Sequence, residues 1–149
     1  MSNAEQIRTL RAQTGVSVGE IKAALDEARG DVAAALEILR RRGAAIAEKK
    51  AGREVHAGIV ETYVHAGGRI GAMAEVLCET DFVALNADFQ ALAHDIVMQI
   101  AAADPKSAAE LLESQFIKDP SQTVEDRIQA ATLKLGENIR LGRFARFSL

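Results

Sequence analysis

Ile70-Gly71-Ala72-Met73-Ala74-Glu75-Val76-Leu77-Cys78-Glu79-Thr80-Asp81-Phe82-Val83-Ala84 changes its periodicity part-way along. Ile70, Ala72, Ala74 and Val76 alternate with Gly71, Met73, Glu75 and Leu77, the period of two that marks a half-buried strand. A polar turn follows and sets an acid, Asp81, beside Phe82. Beyond it Leu85, Phe89, Leu92, Ile96 and Ile100 recur at helical spacing, and we expect a helix from about Asn86 to Ala103 with that stripe inward. Pro105 ends it. A strand delivered to a polar corner and then to a long amphipathic helix implies an α+β fold. Taken alone, a phenylalanine at such a corner reads as a core residue.

Working back towards the N-terminus, Ala66-Gly67-Gly68-Arg69 is a turn, because paired glycines supply positive φ at little cost. Before it, Val60, Thr62 and Val64 alternate with Ile59, Glu61 and Tyr63. The two runs form an antiparallel hairpin. Ala44 to Arg53 is a basic, alanine-rich connector, expected to be part helix. Residues 4–43 read as three short helices. Ile7 and Leu10 share a face of the first, before Thr14-Gly15. Ser17 and Glu20 have the spacing of a capping box for the second, whose buried stripe is Ile21, Ala24, Leu25 and Ala28. Gly30 closes that helix and Asp31 caps the third, which carries Val32, Ala35, Leu36 and Leu39 and is expected to stop at Gly43.

Towards the C-terminus, Leu111 and Leu112 suggest a short helix or extended arm, and Asp119-Pro120-Ser121 a loop. A helix is expected from about Gln122 to Leu135, with Gly136 as its stop. Ile139 to Leu149 alternates again and is placed as a third strand beside the hairpin. The expected organisation is a three-helix domain at 1–43, a basic connector at 44–54 and an α+β core at 55–149.

Composition narrows the function. The chain has 149 residues, 48% apolar and 26% charged, with a formal net charge of −3, so there is no global electrostatic case for nucleic acid. Arg40-Arg41-Arg42, Lys49-Lys50 and Arg140, Arg143 and Arg146 read as solvated faces. No apolar run is long enough to span a bilayer, and the N-terminus has neither the apolar segment of a secretory signal nor the arginines of a transit peptide. A cytoplasmic protein is expected. The single cysteine, Cys78, excludes an internal disulfide framework. His56, His65 and His94 do not have metal-ligand spacing, and the Gly67-Gly68 pair does not precede a helix, so it makes a poor phosphate cradle. No metal, cofactor or catalytic residue is expected, and a binding protein is favoured.

Several blocks, in order, resemble the elongation factor Ts family. They are Leu10-Arg11-Ala12-Gln13-Thr14-Gly15 leading to Ile21-Lys22-Ala23-Ala24-Leu25, Ala28-Arg29-Gly30-Asp31, Lys49-Lys50-Ala51-Gly52-Arg53, Cys78-Glu79-Thr80-Asp81-Phe82-Val83, Gln115-Phe116-Ile117-Lys118-Asp119-Pro120 and Lys134-Leu135-Gly136-Glu137-Asn138-Ile139. The resemblance implies a ubiquitin-associated-like N-terminal domain and a core of helices on a three-stranded antiparallel sheet. It implies nucleotide exchange on the GTPase elongation factor Tu. Thr80, Asp81, Phe82 and Val83 match the segment that displaces Mg2+ from that GTPase, with Phe82 as an apolar wedge between its helices. Lys22 and Lys50 match lysines that touch the partner.

The chain departs from longer members in having one core half and no helical hairpin insertion. A homodimer through the sheet edge, by way of the Arg140 to Leu149 strand, is the expected compensation. Where many members carry a histidine in the long helix this chain has Gln99, which we expect to be core. Other readings are a helical docking module for another protein partner, an enzyme using Cys78 with His56 or His65, and an RNA-binding protein using the arginine patches.

Overall fold

A computed structural model describes every residue from Met1 to Leu149. Three helices, α1 (Asn3–Thr14), α2 (Val18–Glu27) and α3 (Val32–Lys50), precede the hairpin of β1 (Ala57–Val64) and β2 (Ile70–Cys78). A single turn, α4 (Asp81–Ala84), leads into α5 (Ala87–Ala103) and then α6 (Ala108–Glu113). The chain finishes with β3 (Gln115–Phe116), β4 (Asp119–Thr123), α7 (Val124–Leu135) and β5 (Arg140–Ser148). The main sheet is antiparallel in the order β1-β2-β5, so the last strand lies on β2 and the first and last strands are both edges.

The hairpin alternation sorts the sheet as the sequence implies. Ala72, Ala74, Val76 and Cys78 face inward, and Ile59 and Tyr63 of β1 pack on the same side. Helix α5 covers that face with Phe89, Leu92, Ala93, Ile96, Val97 and Ile100. The opposite face of the sheet is open, with Val60, Val64, Met73 and Phe147 exposed. A smaller cluster, Leu10, Val16, Ile21, Ala24, Leu25, Ala35 and Leu39, holds the N-terminal helices together. Helix α7 serves both clusters: Val124 and Ile128 lie in the larger, while Ala130 and Leu133 pack on the smaller.

Five local expectations are corrected. Helix α3 does not stop at Gly43 but runs to Lys50. There the glycine serves a close helix crossing, since a Cβ at Gly43 would sit 3.3 Å from the Gln129 carbonyl oxygen of α7. Only half of the Ser17 capping box forms: the Ser17 hydroxyl accepts from the Glu20 amide, while the Glu20 carboxylate is drawn to Arg42 at 3.0 Å. Asp119-Pro120-Ser121 is not a loop but part of β4, in the two-stranded β3–β4 sheet, where proline is tolerated because the pairing is short. Helix α7 accordingly starts at Val124, capped by Thr123. Leu85 leaves the α5 stripe because Asn86 caps a new helix after α4 and resets the helical phase, so the inward stripe begins at Phe89.

Candidate partner-docking site

Strand β2 ends at Cys78, and Thr80 turns the chain with extended backbone, φ −131° and ψ 153°. Its hydroxyl accepts from the Val83 amide at 3.4 Å and so caps α4. Within that single turn Val83 and Ala84 are buried in the core, whereas Asp81 and Phe82 point to solvent. Phe82 is 86% exposed and Leu85, three residues on and therefore on the same side of the turn, is 76% exposed. The corner thus presents an aromatic and an aliphatic side chain together, anchored from beneath by Val83. Asn86 then caps α5, accepting from the amides of Asp88 at 2.8 Å and Phe89 at 3.3 Å.

A carboxylate from a distant part of the chain holds the corner. Glu137 follows Gly136, the left-handed cap of α7. Its Oε1 accepts from the amides of Glu79 and Thr80, both at 3.0 Å, and its Oε2 accepts from the Thr80 hydroxyl at 2.7 Å. Glu79 reciprocates, its Oε1 accepting from the Asn138 amide at 2.7 Å and lying 3.6 Å from Arg53 Nη1. Asn138 Nδ2 donates to the Arg53 carbonyl at 2.8 Å, and Lys50 Nζ to the Gly136 carbonyl at 2.8 Å. The end of α3, the end of α7 and the corner are one hydrogen-bonded junction.

Beneath it, the buried Cys78 thiol donates to the Thr80 carbonyl at 3.2 Å. Burial pushes its pKa up, and the negative charges of Glu137 and Asp81 push it further the same way. The His56 ring is exposed and bonded to Glu54 at 2.7 Å, and His65 is bonded to the Tyr63 hydroxyl at 2.9 Å. A protonated, buried thiol with both rings otherwise engaged is the opposite of an activated nucleophile.

Comparison with known proteins gives the corner a setting. The sequence profile described as Elongation factor TS matches residues 79–149, from the corner to the end of β5. The chain is 38% identical to elongation factor Ts of Caldanaerobacter subterraneus subsp. tengcongensis, over 99% of this chain and 96% of that protein. The corresponding protein of Carboxydothermus hydrogenoformans is 38% identical, with 100% and 89% covered. The chain belongs to the elongation factor Ts family. It is 48% identical to the Clostridium acetobutylicum elongation factor Ts over 99% of its own length, but spans only 48% of that longer relative. The Caldanaerobacter alignment runs over 192 positions against a chain of 149, so that relative carries sequence absent here.

The remaining residues singled out by resemblance to elongation factor Ts fall in different settings. Lys22 is exposed on α2. Lys50 is half-buried with one ammonium hydrogen committed to Gly136. Gln99 is fully buried, and its amide donates to the Ser114 hydroxyl at 3.1 Å and the Gln115 carbonyl at 2.9 Å while accepting from the Ile117 amide at 2.9 Å. It staples β3 to α5. Sequence reasoning assigned no role to Glu137, Glu79, Asn138 or Arg53. Their only sequence signal was membership of the matching blocks, because the clamp brings together residues from opposite ends of the core.

Proposed function

We propose that this chain binds elongation factor Tu and accelerates release of its GDP, so that GTP can reload. The observation that carries the reading is Phe82: a large aromatic, 86% exposed, on a corner whose backbone is fixed from beneath. Leaving such a side chain in water forgoes about 1.5–3 kcal/mol of burial, which a partner can recover. Thr80, Asp81, Phe82 and Val83 are the segment that displaces Mg2+. Phe82 inserts between helices of the GTPase, Val83 holds the turn to the core, and Asp81 brings negative charge to the neighbourhood of the metal. A nucleoside diphosphate is held by backbone amides, a lysine and Mg2+, so shifting the helices that support those groups loosens it. By linkage, the factor weakens GDP binding as much as GDP weakens binding of the factor.

Lys22 and Lys50 supply docking contacts at a distance from the wedge. Lys50 makes its contact with the two ammonium hydrogens that Gly136 leaves free. We take the cytoplasm as the place of action; no helix is long and apolar enough to cross a membrane. The direct test is release of fluorescent GDP from purified elongation factor Tu with and without this chain. Acceleration supports the reading. No acceleration, with a GTPase that responds to another exchange factor, returns the chain to a helical docking module for a different partner.

We also propose a homodimer through the sheet. Strand β5 is an edge, as the sequence reading required, and the open face beside it carries Val60, Val64, Met73 and Phe147. An exposed apolar face next to a free edge favours a second copy over water. Sedimentation at micromolar concentration tests this, and a monomer there contradicts it.

A further inference from the structure

We propose that Glu137 is a positioning residue for nucleotide exchange: it braces the Thr80–Val83 corner so that Phe82 can push against the partner. The inference rests on the exchange-factor reading. A wedge displaces what it enters only if its own base does not recoil. Helix α4 is four residues long, too short to be stiff through its own ladder. The resistance comes from the Glu137 carboxylate, which takes three hydrogen bonds from Glu79 and Thr80. Bonds to an ionised acceptor are the stronger kind.

The location of this carboxylate argues for that role over one in stabilising α7. Glu137 stands one residue beyond Gly136, at the negative end of the α7 dipole, where cations rather than anions are favoured. Its compensation lies in the corner. The reciprocal bond from the Asn138 amide to Glu79, with Arg53 beside it, fixes the corner against the α7–β5 junction. Lys50 joins the end of α3 to the same junction through the Gly136 carbonyl. Force on Phe82 is thereby borne by three elements instead of one turn.

The experiment uses the full chain with Glu137→Ala, Glu137→Gln, Phe82→Ala and the Phe82→Ala/Glu137→Ala double variant. Amide hydrogen exchange of the free chain reads the brace directly. Glu79 and Thr80 amides should exchange at least tenfold faster in Glu137→Ala, and unchanged protection overturns the proposal. Affinity for nucleotide-free elongation factor Tu reads the consequence. Glu137→Ala should bind at least tenfold more weakly, and Glu137→Gln, which keeps one acceptor oxygen, should fall between it and wild type. In the Phe82→Ala background, Glu137→Ala should cost little more, because a brace without a wedge has nothing to support. Losses that multiply fully would show that Glu137 does not act through Phe82. If Glu137→Ala does not fold, the intermediate affinity of Glu137→Gln still decides, and wild-type affinity there overturns the proposal. Wild-type chain that neither binds nor releases GDP defeats the exchange-factor reading itself, whereas an active wild type with indifferent Glu137 variants defeats only the brace.

Discussion

The corner and the open sheet face both expose large apolar side chains, and they are built differently. At the corner, Phe82 and Leu85 project from one turn held by a carboxylate clamp. On the sheet, Val60, Val64, Met73 and Phe147 spread over three strands, and the Glu75–Arg143 ion pair crosses the same face. The corner is a point on a rigid base, suited to entering a crevice. The sheet face is broad and suited to covering area. Exposure alone does not separate the two places; the support beneath the exposed groups does.

The corner and the sheet face depend on one scaffold. Phe89, seven residues after Phe82 in the sequence, is 0% exposed beneath the sheet. Phe89→Ala should destabilise the fold by about 3–5 kcal/mol in urea unfolding, and both surfaces should fail with it. Phe82→Ala should leave urea unfolding unchanged yet weaken the complex with elongation factor Tu by about 2 kcal/mol or more, roughly 30-fold in affinity by titration. Phe147→Glu sharpens the contrast from the other side. It should weaken self-association at least tenfold in sedimentation and leave GDP release per chain intact; parallel loss of both would mean that the two surfaces serve one interface.

The smallest effect concerns the polar crossing of the sheet face. Arg143 donates to Glu75 from Nε at 2.7 Å and Nη2 at 3.0 Å and, with the Arg143 amide, holds the Glu75 carboxyl at about 2. The folded-state value lies below that of the unfolded chain, so the stabilisation is complete above about pH 4.3 and is lost as pH falls towards 2. Because the pair is exposed, Glu75→Gln should lower stability only slightly at neutral pH, and that deficit should vanish as pH falls towards 2, flattening the acid limb of the stability profile.

Much of this was legible in the sequence because it is periodic. Alternation located the hairpin and the last strand, and helical spacing located α2, α5 and α7. The errors share a cause: local signals have more than one use. Gly43 has the chemistry of a helix stop but serves a helix crossing, as only the position of Gln129 reveals. Pro120 looked like a loop residue, but it lies in a short edge pairing. Leu85 fits the α5 stripe in spacing, yet Asn86 starts a new helix and turns Leu85 outward. The corner could be located from its motif, but its exposure could not, since Phe82 and Phe89 are the same residue in similar company. The clamp's members lay in the matching blocks, but their meeting was not legible, because Glu79 and Glu137 come together only when β2 and β5 pair.

The wedge at Phe82 is tested most directly by the rate of fluorescent GDP release from elongation factor Tu at saturating wild-type chain and at saturating Phe82→Ala. Release should be fast with wild type and near the spontaneous rate with Phe82→Ala, at unchanged fold stability. Equal acceleration by the two proteins would contradict the wedge, because the exposed aromatic at the corner would then play no part in opening the nucleotide site.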